Sequence, residues 1–180
     1  TIQAAPFNKQ LQSPDHPNLK IILASTSETR RQILAGAGLT FQVCDPAIDE
    51  TAEKNKSSDP ESIAIALAKL KSEKTSRQFP DAIIIGADQT LGFQNRIFSK
   101  PGSRVAARQQ LRELRNNSHC LYSALSCSRD GKQVWSWLSK AELTMRDFSD
   151  EFLEDYLNGD AANYLGSVGA YKIETAGIQL

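Results

Sequence analysis

Two apolar runs without alternation, Ile21-Ile22-Leu23-Ala24 and Ile83-Ile84-Ile85, constrain the fold of this chain more than any other feature. A strand with one wet face alternates apolar and polar residues, whereas a strand that does not alternate has both faces covered. Helical segments are spaced to supply the cover. Ser27 reads as a helix N-cap, with Ile33, Leu34 and Ala37 on the buried side and Gly36 or Gly38 as the stop. Asp59-Pro60-Glu61 opens a second helix whose apolar face is Ile63, Ala66, Leu67 and Leu70, with Lys69, Lys71 and Lys74 on the remainder. Ser103 caps a third, from Arg104 to about Asn116, with Val105, Leu111 and Leu114 apolar. Ser149 caps a fourth through Phe152, Leu153, Tyr156 and Leu157, ended by Asn158-Gly159. The expected class is α/β, a central sheet flanked by helices.

Further strands complete the sheet. Phe41 to Cys44 alternates, and Asp81 to Asp88 places an aspartate at the strand's carboxyl end. Phe93 to Phe98 reads as a short hairpin or loop, and Asp130-Gly131 centres a hairpin from His119 to Arg146. Trp135 and Trp137 share one face of it, as core or as a subunit contact. Gly166 to Glu174 reads as a glycine-punctuated loop entering a strand. Between these, Ile48 to Thr51 reads as a loop carrying two carboxylates, and Lys54 to Asp59 as a mobile polar stretch.

Composition narrows the classes. Lys plus Arg and Asp plus Glu number 21 each among 180 residues, so no polyanion-binding surface is expected and nucleic acid is not an expected partner. The arginines from Arg104 to Arg115 read as spread around their helix, hence as solvation. The three cysteines, Cys44, Cys120 and Cys127, form no Cys-x-x-Cys pair, and Cys120 beside His119 is too little for zinc, which favours a reducing compartment. No apolar run approaches a membrane span, and residues 1–19, with Pro6, Pro14 and Pro17, read as a flexible leader rather than a signal peptide. The expectation is one domain over residues 20–180 of a cytoplasmic protein.

The chemistry gathers at punctuation points. Ser25, Thr26 and Ser27 are three consecutive hydroxyl residues where a cap needs only one oxygen. Arg30 and Arg31 sit in the first helical turn, where cations are disfavoured by roughly 0.3–1 kcal/mol each. A bound anion reverses that sign, and a strand-turn-helix junction is a good phosphate seat; a solvated basic helix start is the plain alternative. Asp88 at a strand end can hold a divalent metal or orient water, or merely cap the strand. Lys100 has a defined position because Pro101 fixes the backbone after it.

Together these pieces resemble the Maf family of nucleoside triphosphate pyrophosphatases: Leu23-Ala24-Ser25-x-Ser27-x-x-Arg30-Arg31, Asp49-Glu50, Ala68-x-x-Lys71, Gly86-Ala87-Asp88, Ser99-Lys100-Pro101 and Gly169-Ala170-Tyr171. The resemblance implies a Maf fold, like that of the inosine-triphosphate pyrophosphatases, with a mixed central sheet, often dimeric. It implies hydrolysis of the α–β phosphoanhydride of nucleoside triphosphates, of the pyrimidine or modified kind, to monophosphate and pyrophosphate. It also implies a divalent cation, Mg²⁺ or Mn²⁺, as cofactor. On that reading Ser25, Ser27, Arg30, Arg31, Lys71 and Lys100 bind phosphates, and Asp88 and Glu50 hold the metal. Asp88, Glu50 and Lys71 are the catalytic set, with base and metal ligand left unassigned between the carboxylates.

Two positions depart from the family pattern. Glu28 stands where proline is usual, and Glu174 where glutamine is common, which makes Glu174 a candidate for base or substrate recognition if it faces the base, or for binding the metal if it faces the phosphates. The family chain also usually continues beyond the equivalent of Leu180, leaving room for a missing C-terminal strand and helix. A reading from another class is a non-catalytic, nucleotide-sensing regulator of cell division and septum formation.

Overall fold

The computed structural model describes residues 19–159 and 164–180. In chain order the elements are β1 (Lys20–Ala24), α1 (Glu28–Gly36), β2 (Gln42–Cys44), α2 (Glu50–Lys54), α3 (Pro60–Ser76), β3 (Ala82–Phe93), β4 (Arg96–Phe98), α4 (Arg104–Leu114), β5 (Ser118–Arg129), β6 (Lys132–Thr144) and α5 (Asp150–Asn158). Two 3₁₀ turns follow, Val168–Ala170 and Ala176–Gln179. Six strands form a sheet of order β2-β1-β3-β5-β6, with β4 added to β3. β1 runs parallel to β2 and to β3, in register from Lys20↔Ala82 to Ala24↔Gly86, while β4 is antiparallel to β3 through Leu91↔Phe98. The sheet is mixed, and the class is the α/β one expected. No helix among the described residues is long and apolar enough to cross a membrane.

The chain forms two compact units. The first takes described residues up to Ile48, with Ala68–Ala87 and Leu125–Ser136; the second takes Asp49–Leu67, Asp88–Ala124 and Trp137–Leu180. In the first, Ile22, Ala24, Ala82 and Ile84 form a small core with Cys44 packed on it. Helix α3 lies close against β3 there, because Gly86 has no Cβ: one would meet the Ala68 carbonyl oxygen, and Ser72 N at 2.7 Å. The buried stripe of α3 then turns from apolar to hydroxyl. Ser72 Oγ bonds Ser126 Oγ and Ser128 Oγ, each at 2.8 Å, and Ser76 Oγ accepts from Gly131 N at 2.9 Å. Asp130 and Gly131 have φ of 48° and 72°, the left-handed pair that the two-residue hairpin needs. In the second unit a larger core is built on Leu91, Phe93, Leu111, Leu114, Leu153 and Leu157.

Several expectations are corrected. Helix α1 has no buried residue and its Ile33 is 63 % exposed, because periodicity locates an apolar stripe without saying that anything lies against it. On α3 the buried apolar residues are Ile63, Ala64, Leu67 and Ala68, not Ala66 and Leu70, and Lys71 is buried as well. Strand β3 runs on to Phe93, since Leu91, Gly92 and Phe93 find partners on β4, so Asp88 lies inside the strand rather than at its end. The Asp49-Glu50 pair opens a short helix, not a loop, and among the described residues no strand follows Tyr171. Val105 is 70 % exposed, with Ala107 taking its place in the core. Trp135 and Trp137 lie on the terminal strand β6 of the sheet, 50 % and 62 % exposed, so they are not core. Arg104, Arg108, Arg112 and Arg115 recur every three or four residues and so form a stripe. They pair with Glu154 and Asp150 of α5. The leader reading lies outside the described residues, apart from Leu19.

Candidate functional site

In the first unit the turn between β1 and α1 is built around hydroxyls. Ser27, in extended conformation, caps α1, its Oγ accepting from Arg30 N at 3.5 Å. Ser25 is buried, and its Oγ accepts from Ser27 N at 3.1 Å and from Arg30 Nη1 at 3.2 Å. One serine therefore shapes the turn and folds a guanidinium back over the positive end of the helix. A helix N-terminus favours an anion, which a guanidinium placed there can also meet. Arg31 is differently occupied: its Nη2 lies 2.7 Å from Glu28, and both side chains are largely exposed. The hydrogen bond from Arg31 holds the Glu28 carboxyl below its ordinary range, burial opposing weakly. Glu28, which replaces the usual proline, thus also engages Gln32 through Gln32 Nε2 at 3.1 Å. Lys71 belongs to the same unit and is 5 % exposed, a position a lysine tolerates only when partnered; it has a partner.

In the second unit Asp88 is 7 % exposed and also partnered. It lies two residues beyond Gly86, the last residue of β3 that β1 pairs. Its neighbours alternate about it: Gln89 Nε2 donates to Ser123 Oγ at 2.9 Å and Thr90 Oγ1 donates to the Pro60 carbonyl at 2.6 Å. Asp49 is occupied as the cap of α2, its Oδ1 accepting from Thr51 N and Ala52 N. The other member of the acidic pair, Glu50, is also partnered, and its Oε2 lies 3.0 Å from Lys54 Nζ. Lys100 is exposed ahead of buried Pro101, and Glu174 is exposed between the two 3₁₀ turns. The direct contacts seen within a unit join Ser25, Ser27 and Arg30.

Among the described residues no three His, Cys, Asp or Glu side chains cluster as a metal cage. Asp88, as a buried aspartate, has the oxygen-donor chemistry that Mg²⁺ or Mn²⁺ takes. Such an ion usually keeps several waters and is held by one or two carboxylates plus substrate phosphates.

The sequence reading missed the partners of the Gly169-Ala170-Tyr171 turn. Gly169 and Ala170 both have left-handed φ, 78° and 65°. Tyr156 donates its hydroxyl hydrogen to the Ala170 carbonyl at 3.1 Å, and the Tyr171 hydroxyl lies 2.6 Å from His119 Nε2. Burial pushes the Tyr156 hydroxyl up to about 12, so it remains a donor at neutral pH, and raises Tyr171 as well. His119 is 2 % exposed, and burial lowers its pKa against a weaker pull from the Asn117 backbone. The available signal was a histidine inside a strand pattern, which names no partner.

The family model described as Maf-like protein matches residues 20–180. A relative from Nitrobacter hamburgensis named nucleoside triphosphate pyrophosphatase is 41 % identical over 162 residues, covering 89 % of this chain and 80 % of its own. One of the same name from Paramagnetospirillum magneticum is 43 % identical over 163 residues, covering 88 % and 84 %. A Rhizobium etli relative named 7-methyl-GTP pyrophosphatase is 39 % identical over 165 residues, covering 89 % and 83 %. Among solved structures, a HAM1 protein from Coxiella burnetii aligns with a TM-score of 0.43 at 14 % identity, over 69 % of this chain and 70 % of that one.

Proposed function

The chain belongs to the Maf-like protein family, and from that premise we propose that it hydrolyses the α–β phosphoanhydride of nucleoside triphosphates, releasing a monophosphate and pyrophosphate. The observation that carries the reading is Arg30, folded over the α1 N-terminus by the buried Ser25 hydroxyl. A triphosphate brings about four negative charges, and phosphoryl transfer is accelerated mainly by positioning and charge neutralisation. Ser25, Ser27, Arg30, Arg31, Lys71 and Lys100 bind the phosphate oxygens, the arginines through charge-assisted hydrogen bonds and the lysines as point charges. Asp88 and Glu50 would hold Mg²⁺ or Mn²⁺, which when bound supplies charge neutralisation at the phosphates. One of those carboxylates orients the water that attacks the α-phosphorus and takes its proton, the bond from that phosphorus to the α–β bridging oxygen breaks, and pyrophosphate leaves carrying that oxygen.

The names of the relatives widen the candidate substrates. Pyrimidine triphosphates and modified nucleotides such as 7-methyl-GTP are both proposed, with Glu174 reading the base. An ionised glutamate only accepts hydrogen bonds, so it favours bases that present N–H groups. The working form is proposed to be a cytoplasmic homodimer. Pyrophosphate release measured across UTP, CTP, dTTP, 7-methyl-GTP and the common purine triphosphates, with Mg²⁺ or Mn²⁺ added and with chelator, tests the proposal. The expected result is metal-dependent release with a preference for some of the first four. Nucleotide binding without release from any of them overturns it and favours the regulator reading.

A further inference from the structure

We infer that His119 and Tyr156 are positioning residues for base recognition, holding the left-handed turn at Gly169–Ala170 and with it the Tyr171–Glu174 segment; this rests on the proposed role of Glu174. A non-glycine residue at left-handed φ is strained and persists where its surroundings over-determine it, which is common at ligand-binding segments. Ala170, at φ 65°, is such a residue. Its turn is anchored from three elements of the second unit. From α5, Tyr156 donates to the Ala170 carbonyl at 3.1 Å. From β5, His119 Nε2 holds the Tyr171 hydroxyl at 2.6 Å, the two rings meeting edge to face with centroids 5.6 Å apart. From β3, Leu91 fills the space where a Cβ on Gly169 would stand, 2.5 Å from its Cδ1. The buried imidazole engages the turn through Nε2. Only two residues, Lys172 and Ile173, separate Tyr171 from Glu174, so the backbone that the brace fixes is the backbone that aims that carboxylate.

The test is equilibrium binding of non-hydrolysable α,β-methylene analogues of UTP and GTP and of tripolyphosphate, to the full chain and to His119→Leu, His119→Gln, Tyr171→Phe and Tyr156→Phe. The ratio of UTP-analogue to GTP-analogue affinity should fall about three- to tenfold in His119→Leu, Tyr171→Phe and Tyr156→Phe, the loss of one hydrogen bond expressed at the base. Tripolyphosphate affinity should stay within about twofold, and His119→Gln, which can still bond Tyr171, should keep the wild-type ratio. An unchanged ratio in folded Tyr171→Phe and Tyr156→Phe overturns the inference, as do equal losses for tripolyphosphate and nucleotides. So does a wild type that binds no nucleotide. A wild type that discriminates in binding but releases no pyrophosphate leaves this inference standing and fails only the catalytic reading.

Discussion

Replacing Gly86 by alanine puts a methyl group into the contact that brings α3 against β3. The added Cβ would overlap the Ala68 carbonyl oxygen, and would stand 2.7 Å from Ser72 N and 2.9 Å from Ser72 Cβ. Two of those three atoms are helix backbone, so no side chain can rotate away and the helix itself must retreat. Overpacking of this kind costs about 1–3 kcal/mol, and a backbone obstacle places Gly86→Ala at the upper end or beyond. Retreat would also strain the bonds from Ser72 to Ser126 and Ser128. At about 2–4 °C per kcal/mol for a chain of this size, Tm should fall by roughly 5–12 °C. The control is Gly36→Ala at the end of α1, where nothing lies within 4 Å of the new Cβ and where alanine is the better helix former. Urea unfolding should give the first variant a lower midpoint at unchanged m, and the second a midpoint equal to or above wild type. A Gly86→Ala protein within about 0.5 kcal/mol of wild type would refute the claim that this glycine sets the helix–strand spacing.

Arg30→Ala should weaken a non-hydrolysable triphosphate by about 1.5–3 kcal/mol while leaving the matching nucleoside unchanged in calorimetric titration; equal losses would place Arg30 away from the phosphates. Asp88→Asn should lower metal-supported turnover by on the order of tenfold or more in both Mg²⁺ and Mn²⁺, by analogy with losses around other metal sites; full turnover in both would remove Asp88 from the site. Glu154 is held below the ordinary glutamate value of 4.5 first by its hydrogen bond from Arg108, with Arg104 adding to it. A depressed carboxyl contributes stability that is present above its unfolded pKa and lost as pH falls through the folded one. Glu154→Gln should therefore flatten the fall of Tm below pH 4.5, and an unaltered acid limb would show that the α4–α5 ion pairs do not contribute.

What the sequence discloses and what it withholds divide along physical lines. Caps and turns are local, so Ser27, Ser103, Ser149 and Asp130-Gly131 could be read directly: the hydroxyl that accepts the first free N–H, or the left-handed pair, lies within three residues of its effect. Depth is not local. The apolar stripe of α1 turned out exposed, while Lys71 turned out buried, because burial depends on what other segments bring. Strand length failed at Asp88 for a related reason, since the continuation to Phe93 is paired by β4, a partner three residues long. Within the site, the bond from Arg30 to Ser25 spans five positions and was anticipated as a shared seat, although not as a contact. The His119–Tyr171 bond spans 52 positions, and no periodicity or spacing rule could have paired them.

The central claim is the bond that is cut. Product analysis of UTP and 7-methyl-GTP incubated with the protein and Mg²⁺ or Mn²⁺, by anion-exchange separation with phosphorus NMR, tests it most directly. The account predicts equal amounts of nucleoside monophosphate and pyrophosphate, abolished by chelator. Nucleoside diphosphate with orthophosphate, or no turnover of any triphosphate, would contradict it.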